Sequence, residues 1–159
     1  MQNNDVRQFI ETLNAEASLV ERFVALLSEE QSLLSDGNID AIIPLLAQKG
    51  ELAGQLEALG EQRNALLRSQ GLTADRAGMD AWCAHHSDNL ASTETWPRII
   101  AGAREAQRLN RLNGELIRLR MQYNTQALEA LRRGDTSLNL YGPNGQATAR
   151  TTTRLNDAV

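Results

Sequence analysis

The sequence predicts an all-α protein: an elongated antiparallel hairpin or bundle of three long helices plus a short one, with a flexible C-terminal tail. Leucine and valine recur every seven residues over long stretches, a spacing that puts them on one face of a helix and that no strand produces. The breaks between these stretches are short and contain glycine, as in helical hairpins. Aromatic residues make up only 4% of 159 residues, which suits a thin seam of Leu, Ile and Ala between helices.

The first helix is expected over 5–34. Val6, Leu13, Val20, Leu27 and Leu34 repeat at heptad spacing, Ile10, Ala17 and Val24 join the same face, and Phe9 and Phe23 flank it. A helix this long and one-sided, roughly 45 Å at 1.5 Å per residue, needs a partner face to be stable. Asp36-Gly37-Asn38 then breaks the pattern; Gly37 can take the left-handed conformation that closes a helix, and Asn38 or Asp40 can cap the next. The second helix is expected over 39–70, on Leu45, Leu52, Leu59 and Leu66, joined by Leu46, Ala53, Leu56 and Leu67. Pro44 predicts a kink or a late start there. Gly50, Gly54 and Gly60 either allow close approach to the first helix or weaken the second.

Gly71 ends that helix. Residues 72–93 are the least regular; Met79, Trp82 and Cys83 suggest a short helix near 75–85 that folds over one end of the hairpin. The third long helix is expected over 95–133, with Thr95 as its cap and Pro97 in its first turn. Its apolar face includes Ile99, Ile100, Ala103, Ala106, Leu109, Leu112 and Leu116, and continues through Leu119, Tyr123, Ala127, Ala130 and Leu131. Glu105 with Arg108, Glu115 with Arg118 and Glu129 with Arg133 are spaced to pair on its surface. Asn110 and Asn113 lie beside the stripe, where a buried Asn fixes helix register and an exposed one does nothing special. Residues 1–134 thus form a helical domain. Residues 135–159 are polar and Thr-rich and hold too few apolar groups to bury themselves, so they read as a flexible tail.

Several function classes are disfavoured. A net charge of −4 from 16 basic and 20 acidic residues lacks the cationic surface that nucleic-acid binding needs. No apolar run is long enough to span a membrane, and the first residues do not resemble a signal peptide. With Cys83 as the single cysteine, no internal disulfide forms, and a cytoplasmic location is expected. Cys83-Ala84-His85-His86 is the one group resembling a metal or nucleophile site. Zinc takes four ligands, usually from two clusters, and no second cluster exists. A Cys–His pair would need an oxyanion loop and an orienting acid, and neither stands out. A small buried cysteine beside surface histidines is the reading preferred. The carboxylates Glu29, Glu30, Glu57 and Glu61 are placed on solvated outer faces, and no phosphate-binding glycine loop is present. No enzyme activity, metal or cofactor is expected. In the tail, Tyr141 sits between Leu140 and a Gly-Pro-Asn-Gly turn; it either docks on its own bundle or anchors a partner.

Three stretches taken together resemble one family. They are Leu26-Leu27-Ser28-Glu29-Glu30-Gln31-Ser32-Leu33-Leu34 with Gly37-Asn38-Ile39, then Leu109-Asn110-Arg111-Leu112-Asn113-Gly114-Glu115-Leu116-Ile117 leading to Gln126-Ala127-Leu128-Glu129-Ala130-Leu131, and Leu140-Tyr141-Gly142-Pro143-Asn144-Gly145-Gln146. In this order the chain resembles the FlgN family of flagellar export chaperones over nearly its whole length, least so at 72–93. The resemblance implies a helical cytoplasmic protein that binds the hook–filament junction (hook-associated) proteins, keeps them unassembled and helps deliver them to the flagellar export apparatus. It implies that cargo is held by the C-terminal helical region, here placed on Leu116, Leu119, Tyr123, Ala127 and Leu131. It also implies that the tyrosine of Leu-Tyr-Gly, Tyr141, docks on the export gate. From another class, the heptad spacing alone would also suit a structural or oligomerising coiled-coil module without cargo.

Overall fold

The computed structural model describes residues 3–137, with side chains from 4 to 134. These residues form helices, with no strand among them: α1 (Asn3–Asp36), α2 (Ile39–Ser69), α3 (Arg76–His85), a π-helical turn (Ala91–Thr95) and α4 (Trp96–Ser137). The chain divides into two units, residues 1–117 and residues 118–159. The first holds the packed helices; the described part of the second is the distal stretch of α4.

The α1–α2 turn forms as its residues require. Gly37 stands at φ 77°, a conformation that side-chain-bearing residues adopt rarely. The side chain of Asn38 accepts a hydrogen bond from the Ala41 backbone N–H at 3.3 Å, capping α2. The expected kink or late start at Pro44 does not occur as an interruption: α2 starts at Ile39 and runs on past Pro44. Antiparallel alignment of α1 and α2 is fixed by two ion pairs, Glu16 with Arg63 and Glu30 with Lys49. Within each helix the paired residues are two heptads apart, so both pairs face the same seam.

The core of the first unit lies where α1 begins and α2 ends. Phe9, Leu13, Ala17 and Val20 of α1 pack with Leu67 of α2, Met79 and Trp82 of α3, Ala91 and Ile99. Trp82 is wholly buried, its ring 4.3 Å from that of Phe9 by centroids. The segment 72–93 therefore supplies the bulkiest core side chain. Its helix is started by Asp75, whose side chain accepts from the Gly78 N–H at 2.9 Å and from the Thr73 hydroxyl at 2.6 Å. A smaller cluster of Leu26, Leu45 and Leu52, with Leu19, Phe23 and Leu33 packed on it, fills the seam towards the turn.

The chain then returns along α1. Thr95 was expected to cap the third helix by its side chain; instead it closes the π turn and its hydroxyl bonds the Asn14 side chain at 3.2 Å. From there the first stretch of α4 follows α1 upward: Arg98 pairs with Glu21, Gly102 meets Val20, and Asn113 reaches Leu27 and Glu30. Each long helix in this unit is antiparallel to the one before it. α4 runs past the expected end at 133 to Ser137; the rest of the expected tail, 138–159, lies outside the described residues.

The glycines of α2 do not serve close packing on α1. Nothing lies within 4 Å of a side-chain carbon built at Gly50 or Gly54, whereas one at Gly102 would fall 2.3 Å from Val20 Cγ1. Gly50→Ala and Gly54→Ala are each expected to raise the unfolding free energy by about 0.5–1 kcal/mol. Gly102→Ala is expected to lower it by about 1–3 kcal/mol, since the stiff valine has little room to yield. Urea denaturation of the three variants measures this.

Candidate partner-binding face

The Cys-His group does not assemble into a reactive site. Cys83 is half-buried, and burial pushes its thiol above its ordinary range. A nucleophilic cysteine needs the reverse shift. His86 stacks on Trp82 at 4.4 Å, with Nδ1 2.9 Å from the Trp82 carbonyl. His85 is exposed, its Nδ1 2.6 Å from the Ala81 carbonyl. The open cleft beside them, of about 650 Å³, is lined by both histidines, Asp5 and Gln70 but not by Cys83. Among the described residues, no three His, Cys, Asp or Glu side chains stand close enough to hold a metal ion.

What the first unit does hold is two polar layers that position α4. In one, Glu16 is buried against Arg63, and the Arg63 guanidinium lies 5.3 Å over the Trp96 ring, a cation–π contact. In the other, Glu30 is only 1% exposed. It accepts from Lys49 Nζ at 3.1 and 3.2 Å and from Asn113 Nδ2 at 2.7 Å. The same amide nitrogen donates to the Leu27 carbonyl at 2.9 Å. Glu30 is thus not on an outer face, as its residue type suggested. Asn113 is the buried member of its pair, at 1%, and Asn110 is exposed. Glu29, Glu57 and Glu61 are exposed.

The proximal face of α4 also differs from the apolar list. The side turned inward runs Ile99, Gly102, Ala106, Leu109, Asn113 and Leu116, and Ala103 is exposed. Leucine counting passed over Gly102 and Asn113 because neither is apolar. Helical spacing alone, in steps of three and four from Ile99, would have found them.

In the second unit the picture changes. Every described residue from 121 to 134 is exposed. Leu119 is 53%, Met121 66%, Tyr123 76%, Leu128 62% and Leu131 70% exposed. Ala127 is exposed as well, and Leu116, in the first unit, is half-buried. Of the residues singled out for a cargo surface, four therefore lie open along one helix and Leu116 belongs partly to the seam. Met121 and Leu128 add to this open apolar surface, and Ile117, the last residue of the first unit, is itself 40% exposed; the leucine stripe missed them because they flank it. Large apolar groups left this open along a helix mark a surface that gains by being covered. Tyr141 lies outside the described residues. No helix among the described residues is long and apolar enough to cross a membrane.

The model of the family described as FlgN protein matches residues 1–149. The chain belongs to the FlgN family. Two curated FlgN relatives, each named flagella synthesis protein FlgN, come from Yersinia enterocolitica and from its serotype O:8 / biotype 1B strain. Each is 30% identical over 139 residues, covering 85% of this chain and 86% of the relative. No solved structure matches. FlgN membership assigns the chain to flagellar assembly and not to an enzyme family.

The two polar layers generate separate expectations. Asn113→Ala removes two hydrogen bonds, one to a carboxylate, and is expected to lower the unfolding free energy by about 2–3 kcal/mol in thermal or urea melts. Burial raises the Glu16 carboxyl above 4.5, outweighing the attraction of Arg63. From 4.5 up to that raised value the folded state binds more protons than the unfolded chain, so stability falls as pH climbs through this window and is level above it. Measured against pH, wild type is expected to lose stability relative to Glu16→Gln as pH rises from 4.5.

Proposed function

We propose that this chain is a flagellar type III export chaperone. In the cytoplasm it binds hook–filament junction proteins, prevents their premature assembly and brings them to the export gate. The observation that carries the reading is the open apolar surface of distal α4: Leu119, Tyr123 and Leu131, each more than half exposed, with Ala127 beside them. Such a helix face takes an amphipathic segment by side-by-side packing. A segment that folds as it binds spends part of the interaction on its own ordering, which keeps the complex releasable. Leu116 forms the inner end of this surface, and Tyr141, in Leu140-Tyr141-Gly142, serves the export gate.

Leu119→Glu with Leu131→Glu is expected to weaken binding to a junction protein from the same organism at least about 100-fold in calorimetry. Its helical circular dichroism should stay unchanged, because both sites are open to water. Unaltered affinity would place the cargo elsewhere. Tyr141→Ala is expected to weaken binding to the cytoplasmic domain of the export gate while leaving junction-protein binding at wild-type strength. The reverse pattern would reject that assignment.

A further inference from the structure

The cleft beside Trp82 holds polar groups that nothing in the protein satisfies. Trp82 is wholly buried, yet its indole N–H is closed to water and has no hydrogen-bond partner. The Gln70 amide nitrogen is in the same position, and both residues line the cleft. Buried donors are costly to leave unmet. His85 and His86 line it as well. Their Nδ1 atoms sit 2.6 and 2.9 Å from the carbonyls of Ala81 and Trp82, so each Nδ1 carries the hydrogen and each Nε2 is an acceptor. Leu66 and Leu72, both half-buried, give the cleft an apolar part. At about 650 Å³ it has room for a ligand the size of a few residues.

The charges around it are acidic. Asp5 lies on the cleft, and a second hollow, which shares His86, adds Val6, Ile10, Glu11 and Asp88. Arg7, also there, is paired with Glu11 at 3.2 Å. Neither Asp5 nor Asp88 has an ionic partner among the described residues. An inorganic anion would meet the donors but also Asp5. A polyamine would suit the acids but give the indole N–H no acceptor. A peptide offers both kinds of group. Its main-chain carbonyls and N–H groups match Trp82, Gln70 and the histidines, its aliphatic side chains match Leu66 and Leu72, and a lysine or arginine matches Asp5 or Asp88. We propose that this cleft is a binding site for a short basic and aliphatic peptide segment of another protein. Entry turns the Gln70 side chain outward, which uncovers the donors. The site is small and open, so binding is weak.

This site lies in the first unit and does not rest on the cargo reading. The test uses the full-length protein and the end-capped peptide Leu-Lys-Leu-Gly-Leu, titrated by NMR up to about 2 mM. The Trp82 indole proton, assigned with Trp96→Phe, should move downfield as its N–H gains an acceptor. Replacing the peptide's lysine with glutamate should weaken binding at least about tenfold. Gln70→Leu and Asp5→Asn should each weaken it at least about threefold. Their thermal melts should be no lower than wild type, since Asp5 is exposed and the cap at Gln70 is made by its backbone. Leu119→Glu with Leu131→Glu should bind this peptide as wild type does. Absence of binding, or binding that leaves the Trp82 proton unmoved, overturns the proposal. So does equal affinity for the glutamate peptide, for spermidine or for inorganic phosphate, and so do Gln70→Leu and Asp5→Asn proteins that bind at wild-type strength.

Discussion

Two carboxylates buried in a leucine-lined seam decide where the other long helices can stand. Glu16 and Glu30 project from α1 into the interior, where an unpaired carboxylate is costly. Arg63 and Lys49 answer them from α2. A leucine seam tolerates a slip of one heptad with modest loss, because Leu meets Leu again. A slip here would strand both acids and both bases, so the charges set the register and the leucines provide the stabilisation. Asn113 and Trp96 extend the same control to α4. Neither layer is fully satisfied: Glu16 Oε2 and Asn113 Oδ1 are buried without a partner. That spends stability on alignment.

Most of the helical layout was legible in the sequence, because heptad-spaced Leu and Val, Gly37-Asn38 and Gly71 are local signals read from neighbours in the chain. The short helix around Trp82 was legible as a cluster of bulky residues, though its place at the centre of the core was not. Glu30 shows why the rest was hidden. By residue type it belongs in water; it is buried because Lys49 and Asn113, far along the chain, arrive beside it. Thr95 was misjudged for the same reason, since its partner is Asn14 on another helix. The open surface of distal α4 was legible as an apolar stripe. The sequence could not say that Leu109 of that stripe is buried while Leu131 is exposed, because burial is set by packing between residues far apart in the chain.

The helix α4 thus serves two purposes with one repeating pattern. Up to Leu116 its inward side is committed to α1, with Asn113 held by two hydrogen bonds. Farther along, the described residues 121–134 are all exposed. A helix already formed before a partner arrives presents its side chains at fixed spacing, so less ordering is needed on binding. This arrangement fits membership of a family of flagella synthesis proteins, whose work is assembly.

The placement of the indoles has an optical consequence. Trp82 lies fully buried between Phe9 and His86, and Trp96 lies beneath the guanidinium of Arg63. Both stand where α1 begins, and distal α4 carries Tyr123 as its aromatic residue. Intrinsic emission excited at long wavelength therefore reports on the packed core of the first unit, where both indoles lie. Loosening of that core changes the spectrum.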